Sequence, residues 1–326
     1  MPSTYFVAWW NLENLFDEEN APLSRRPEKV ARTIKKDIAG WTPELRDKKI
    51  AQLASVIVQM NGGQGPDVLG VCEVENHYVL DLLVAAIKDR LPSRVYSIVH
   101  ADTDDARGID VAFLYDPEVL TAGETFYHVV MRRNATREIV QVNFQTAKGR
   151  SWVLFGNHWP SRSGGQYESA GFRDIAGETL AYFHERTLEV LGEKTPALAM
   201  GDFNDEPFDT SLVTHALSTR QRIKVVEAKE VPRMWNMMWP LIGRPDGTFY
   251  FDNQPNLLDQ FLANKNMARE GAPLAIQPDT VEIMRFPGTF TGVYRRPRPF
   301  GGMGKEVDEA GFSDHFPIGI KVVEAD

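Results

Sequence analysis

Six times along this chain a short apolar stretch stops at, or carries within it, acidic, amide or imidazole side chains: Asn11/Glu13, Glu73, His158, Asp202/Asn204, Asp259 and Asp314/His315. The stretches are rich in β-branched and aromatic residues, as in Tyr5-Phe6-Val7-Ala8-Trp9-Trp10 and Asp67-Val68-Leu69-Gly70-Val71-Cys72, and read as buried strands. The sharpest case is Thr195-Pro196-Ala197-Leu198-Ala199 running into Met200-Gly201-Asp202-Phe203-Asn204-Asp205. Strand side chains repeat every second residue, so Asp202 and Asn204 can point the same way at a strand end. Asp202 can then take a proton from water, and Asn204 can hold that water or a phosphate oxygen. Taken alone, the same residues also describe an Asx turn.

The intervening sequence supplies helices. Thr42-Pro43-Glu44 is a cap followed by proline, and Ile50, Leu53, Ala54, Ile57 and Val58 follow at helical spacing until Asn61-Gly62-Gly63. Further helices are predicted over 78–91 and 168–191, and strands over 96–100, 109–115, 124–130, 138–146, 151–155, 256–263 and 318–323, with turns at Asn134 and Lys148-Gly149. Residues 17–40, 229–254 and 290–311 read as largely irregular. Strand-rich pieces persist through both halves without a repeat or a low-complexity linker. That pattern predicts one domain over residues 1–326, built on two sheets with helices on the outer faces.

Composition narrows the functional classes. Of the 326 residues, 43% are hydrophobic, enough to fill a sizeable core. The net charge of -9 argues against coating nucleic acid by bulk attraction, yet allows carboxylates gathered around a cation. No stretch is long enough to span a membrane, and the N-terminus lacks the basic-then-apolar pattern of a signal peptide, so a cytoplasmic protein is expected. A monomer fits the sequence. The lone Cys72 sits in an apolar run and excludes an intrachain disulfide.

Each polar strand end has an ordinary structural explanation by itself. Together they suit one chemistry. Carboxylates and a carboxamide are hard oxygen ligands of the kind Mg²⁺ or Mn²⁺ prefers. Two histidines and an asparagine can stabilise a phosphorane-like transition state, and Asp202 can activate the water. Asp259, inside Leu257-Leu258-Asp259-Gln260-Phe261-Leu262, needs a partner to keep its charge, and His315 is the candidate.

The order of these pieces, from Trp10-Asn11-Leu12-Glu13-Asn14 through Gly201-Asp202-Phe203-Asn204 to Ser313-Asp314-His315-Phe316-Pro317, resembles the endonuclease/exonuclease/phosphatase superfamily of deoxyribonuclease I-like and exonuclease III-like metal-dependent phosphoesterases. Trp159-Pro160-Ser161-Arg162-Ser163-Gly164-Gly165 and Gly247-Thr248-Phe249-Tyr250 are similar to a bacterial branch of it. The resemblance implies a four-layer α/β sandwich of two mixed sheets packed face to face. It implies Glu73 as the principal metal carboxylate, Glu13 as a second metal contact and Asp314 near the metal. It implies Asn11 as the residue orienting that carboxylate or the phosphate. Asp202 would align or deprotonate the water, Asn204 would bind phosphate beside it, His158 would be the first catalytic histidine, and His315 with Asp259 would bind phosphate. Asn157, Arg107 and Arg162 are implied as phosphate contacts. The expected activity is a Mg²⁺- or Mn²⁺-dependent phosphodiesterase, foremost a nuclease acting on DNA. The alternatives are a phosphomonoesterase, a phospholipid diesterase or a binding module that has lost turnover.

Overall fold

The structure, a computed structural model, describes residues 3–132 and 136–326. The turn expected at Asn134 lies outside the described residues. The first half carries strands β1 (Ser3–Leu15), β2 (Val68–Val74), β3 (Ser97–Val99), β4 (Asp110–Tyr115), β5 (Leu120–His128), β6 (Ile139–Thr146) and β7 (Ser151–His158). The second half carries β8 (Ala197–Asp202), β9 (Ser218–Thr219), β10 (Met234–Asn236), β11 (Phe249–Phe251), β12 (Gln254–Asn256), β13 (Asp259–Asn264), β14 (Leu274–Ile283), β15 (Phe290–Thr291), β16 (Arg296–Pro297) and β17 (Ile318–Glu324). The main helices are α1 (Glu28–Ile34), α2 (Pro43–Ile57), the single turn α3 (Met60–Gly63), α4 (His77–Arg90) and α5 (Ala170–Leu191).

One sheet has the order β14-β17-β1-β2-β4-β3, the other β5-β6-β7-β8-β13-β10-β9. Each is mixed, with a parallel pair at its centre: β1 with β2, and β7 with β8. Both pairs are joined by a helical crossover, which a parallel connection requires. Alternation along the strands then sorts the side chains. Tyr5, Val7 and Trp9 of β1 meet Leu154 of β7, Leu198 and Met200 of β8 and Phe261 of β13 in the core between the sheets. The opposite face of β1, Phe6, Ala8, Trp10 and Leu12, packs with Leu53 and Ile57 of α2 and Leu83 of α4. The opposite face of the second sheet, including Phe155 and Ala199, packs with Ala176 and Leu180 of α5. The result is the expected four-layer sandwich, helix on sheet on sheet on helix.

Thr42 caps α2 as its sequence predicts, its hydroxyl accepting the Leu45 N–H at 3.4 Å. The helix ends at Ile57, and shortly beyond it Asn61 and Gly62 turn left-handed, at φ 52° and 63°. Three expectations change. Residues 17–40 are not all irregular: Val30 and Ile34 of α1 pack with Phe16, Trp41 and Phe300, too short an apolar stripe to stand out in a basic segment. The segment 229–254 contributes β10 and β11, and 290–311 folds a small β15–β16 ribbon. The edge strand β14 went unpredicted because Pro278 and a register shift between Gln277 and Glu282 break its alternation, as edge strands tolerate. Among the described residues no helix is long and apolar enough to cross a membrane.

Candidate active site

The polar groups gather where the core between the sheets reaches its rim. Following the inward-facing parity along each strand gives Val7-Trp9-Asn11 on β1, Leu154-Gly156-His158 on β7, Leu198-Met200-Asp202 on β8 and Ala263-Phe261-Asp259 on β13. Apolar positions give way to chemistry at the same level in all four. In the second sheet the match is to the residue: His158 is registered with Asp202, and Asp202 with Asp259. Three candidate side chains therefore stand on one rung across three adjacent strands, which lie roughly 4.8 Å apart. Gly201 permits the close approach beside this rung, since a Cβ there would sit 2.3 Å from the Asn157 carbonyl oxygen.

Two bulges deliver the acids of the first sheet. Cys72 pairs with Val111 and Val74 with Asp110, so Glu73 is the extra residue on β2. The β1–β2 register slips between Asn11 and Leu15, freeing Glu13 and Asn14 on β1. Glu13, Asn14 and Glu73 all have positive φ, at 50°, 56° and 62°, a strained region that side chains normally avoid. Bulges of this kind re-aim side chains. Here the Asn14 N–H donates to Glu73 Oε2 at 2.9 Å, and Asn11 Oδ1 accepts the Glu13 N–H at 2.9 Å.

Asp259 and His315 are directly bonded, Nδ1 to Oδ2 at 2.7 Å, while the Trp9 indole N–H donates to the other carboxylate oxygen at 3.1 Å. The Thr248 hydroxyl accepts the Asp259 N–H, the Ser313 hydroxyl accepts the His315 N–H, and the Trp10 indole donates to the His315 carbonyl. Burial would lower the His315 pKa, but the carboxylates of Asp259 and Asp202 outweigh it and hold the ring well above its ordinary value. His158 goes the other way. Burial, reinforced by Arg137, Arg107 and His315, holds it well below, so it is a neutral imidazole at neutral pH. Two histidines in opposite protonation states are suited to different roles.

Asp202 lies between them. Its Oδ1 accepts the Asn204 N–H at 2.9 Å and its Oδ2 accepts the Asn11 amide at 3.1 Å. His315 Nε2 is 3.8 Å from Oδ2 and His158 Nε2 is 3.9 Å from it, while His158 Nε2 is 3.6 Å from Glu73 Oε1. These separations exceed a hydrogen bond, so the four side chains face one another without bonding directly. Burial pushes the Asp202 carboxyl up to about 7, against the pull of His315. The folded state thus retains the Asp202 proton to higher pH than the unfolded state, and that contribution to stability fades as pH rises from about 4 towards 7. Thermal melts of the metal-free protein between pH 4 and pH 8 are expected to show a smaller loss of Tm with rising pH in Asp202→Asn than in the wild type. An identical pH dependence in the two proteins contradicts the assignment.

Other sequence candidates are placed differently. Asn157 shares the parity of Val153 and Phe155 and points under α5, where its amide donates to the Phe155 and Met200 carbonyls and its oxygen accepts the Trp159 indole. It is fully enclosed and braces the site from behind. Arg162 bonds the Asn204 carbonyl at 2.6 Å and the carboxylates of Asp205 and Asp209 at 3.1 and 2.9 Å, so its charge is already matched. Arg107 lies at the rim, donating to Asn14 Oδ1. Asn204 donates its amide to the Trp159 carbonyl at 3.1 Å. Residues not anticipated are Trp9, Thr248 and Ser313, which hold the Asp259–His315 pair, and Arg137, which faces His158 and donates to the Trp159 carbonyl at 2.9 Å. Trp9 carries no local signal because it acts on a residue 250 positions away, whereas Thr248 and Ser313 lie within motifs quoted above, Ser313 only two residues from His315.

For a hard cation the best donor is Glu73. It is partly exposed, its Oε1 accepts no hydrogen bond among the described residues, and no lysine or arginine lies in ion-pair contact with it. Glu13 is buried, its Oε2 taken by the N–H groups of Phe300 and Gly301 at 2.8 and 3.3 Å. Asp314 is half-buried, 3.7 Å from Lys305 Nζ. Asp202, Asp259 and His315 also bring ligand atoms within 4.8 Å of one another, though two of the three are engaged with each other.

Comparison with known proteins bears on the fold. An endonuclease/exonuclease/phosphatase family from Bacteroides thetaiotaomicron provides a solved structure with a TM-score of 0.55 at 16% identity, covering 100% of both chains. TDP2 from Caenorhabditis elegans superposes with a TM-score of 0.57 at 14% identity, covering 99% of this chain and 75% of that one. A mannosyl-6-phosphatase from Bacteroides thetaiotaomicron gives 0.54 at 17% identity, covering 98% and 99%. At these identities the likeness is one of fold. No curated protein matches by sequence. The sequence profile of the Endonuclease/Exonuclease/phosphatase family matches residues 6–324, and the chain belongs to that family of phosphoesterases.

Proposed function

We propose that this protein hydrolyses phosphodiesters with the help of Mg²⁺ or Mn²⁺ at Glu73, and that nucleic acid, DNA foremost, is its substrate. The observation that carries the reading is the rung His158–Asp202–Asp259 with His315 bonded to Asp259. Asp202 takes the proton of the attacking water. His315, a cation held by Asp259, donates its Nε2 proton in a hydrogen bond to a non-bridging phosphate oxygen. Asn11 keeps Asp202 in place, and His158 stands on the opposite side as a neutral donor or acceptor. A divalent cation, when bound, would neutralise charge on the phosphate oxygens. Every acid, amide and imidazole named for the chemistry is present in this chain, which speaks against a binding module that has lost turnover.

The preference for nucleic acid rests on the surface beside His315. The Phe249 ring lies 4.9 Å from the imidazole, and Phe251 and Tyr294 are 73% and 58% exposed. Arg295 and Arg296 are exposed nearby, with no carboxylate partner among the described residues. Aromatic faces next to unpaired guanidinium groups suit bases and phosphates of a strand.

Incubation with plasmid, oligonucleotides, bis-p-nitrophenyl phosphate and p-nitrophenyl phosphate, in Mg²⁺ or Mn²⁺ and in EDTA, tests both parts. Metal-dependent cleavage of DNA supports the proposal. Cleavage of monoesters alone overturns the diesterase reading, and no cleavage of any phosphoester overturns the enzyme. Glu73→Gln keeps the shape and removes the charge, so it is expected to weaken Mn²⁺ binding by at least about tenfold by calorimetry. Unchanged affinity removes Glu73 from the metal site.

A further inference from the structure

Lys49 is a cation in an unusual place. It lies on α2, is fully buried, and its ammonium donates to the Glu13 carbonyl oxygen and sits 3.8 Å from Glu13 Oε2. Burying a lysine without a matching charge is costly. Burial holds its ammonium below its ordinary value, against the opposing pull of Glu13, Asp314 and Glu73, in that order. Glu13 is the complementary problem: a carboxyl 1% exposed, which burial pushes up to about 7 against the pull of Lys49, with Oε1 lacking any hydrogen-bond partner among the described residues. The two solve each other. Asp314 is also matched, by Lys305 at 3.7 Å. Of the three acids implied as metal contacts, only Glu73 faces no lysine or arginine at ion-pair distance among the described residues.

Resting on the reading of the site as a divalent-metal phosphoesterase, we propose that the Lys49 ammonium is a resident cation that takes, beside Glu13, the electrostatic place of a second divalent ion. The protein then binds one divalent cation, at Glu73, and Glu13 is no ligand. A divalent ion at Glu13 would be repelled by the ammonium, and Oε2 is already committed to the Phe300 and Gly301 N–H groups. Lys49 is thus a positioning residue. It fixes the left-handed bend of β1 through the Glu13 carbonyl and supplies charge without touching substrate.

The test is Mn²⁺ binding to the full chain, by calorimetry and by electron paramagnetic resonance of free Mn²⁺, with circular dichroism as the check on folding. The wild type is expected to bind one ion. Glu13→Gln is expected to keep that stoichiometry with an affinity within about threefold, well short of the roughly tenfold or greater loss that follows removal of a ligand or its close support. Lys49→Met is expected to admit a second ion, because Glu13 is then uncompensated. Should that variant fail to fold, Lys49→Arg retains the charge and is expected to retain the one-ion stoichiometry, and the Glu13→Gln result decides alone. Two ions on the wild type, or loss of an ion or a tenfold weakening in Glu13→Gln, overturns the proposal and leaves the phosphoesterase reading standing. A wild type that binds no Mn²⁺ and cleaves phosphoesters equally in EDTA overturns the metal-dependent reading with it.

Discussion

Asp202→Asn is expected to lower turnover by about 10²- to 10⁴-fold, the range found when a positioned general base is lost. The substitution is nearly the same size, and an amide oxygen can still accept the Asn204 N–H. What disappears is the charge and the acceptor for the Asn11 amide, which would then face another amide N–H or must turn away. A base must be deprotonated to work, so wild-type turnover falls as pH drops below the Asp202 pKa, which burial pushes up to about 7 without a bound metal. A bound cation nearby favours the carboxylate and moves that acid limb to lower pH. The variant should lose the limb. Single-turnover cleavage of bis-p-nitrophenyl phosphate across pH 5 to 9 measures both effects. A variant within about tenfold of the wild type, with its acid limb intact, removes Asp202 from the role of base.

Asp259→Asn is expected to cut turnover strongly while leaving metal affinity almost unchanged. Asp259 accepts from the His315 ring and the Trp9 indole, and among the described residues neither of these bonds involves Glu73. Its negative charge is the leading influence that keeps His315 protonated against burial. With an amide in its place, the His315 pKa should fall, and a proton resonance titration of the ring reads that directly. Combining Asp259→Asn with His315→Ala should be far from additive, because the acid acts only through the ring. The competing reading makes Asp259 a structural acid, satisfied by Trp9 and Thr248, whose loss would mainly reduce Tm. Additive kinetic losses in well-folded variants decide for that reading.

What was legible in the sequence followed strand parity. His158, Asp202 and Asp259 stand at strand ends with the inward parity of Leu154, Met200 and Phe261, and an apolar run that stops at a polar residue advertises such a position. Asn157 is a phosphate contact on the resemblance, although its parity with Phe155 turns it toward α5. Arg162 is likewise a phosphate contact on the resemblance, but the acids that match its charge, Asp205 and Asp209, lie over forty residues away, and such pairings leave no local mark. Trp9 reads as ordinary core, and only the fold brings its indole to a carboxylate 250 residues on. Lys49 lies on α2 beside the apolar stripe that starts at Ile50, and its charge carries no local sign of burial. It is buried because the 300–301 loop closes over Glu13, a contact spanning 287 residues. Strand β14, interrupted by Pro278, lacked the alternation on which strand prediction depends.

The rung that joins His158, Asp202 and Asp259 also bears on how such a protein can change over evolutionary time. Its members sit on central strands whose mutual spacing is set by backbone hydrogen bonding, so none can shift without disturbing the sheet. The aromatic and cationic groups around His315 come instead from the β11–β12 hairpin and the β15–β16 ribbon, short elements outside both large sheets. Insertions and replacements in those loops are tolerated far better than changes within the strands. On the proposed reading, hydrolysis and recognition are therefore inherited on separate parts of the chain. A descendant could then exchange its substrate by rewriting two ribbons, and two relatives that agree at every strand end would need to share no substrate at all.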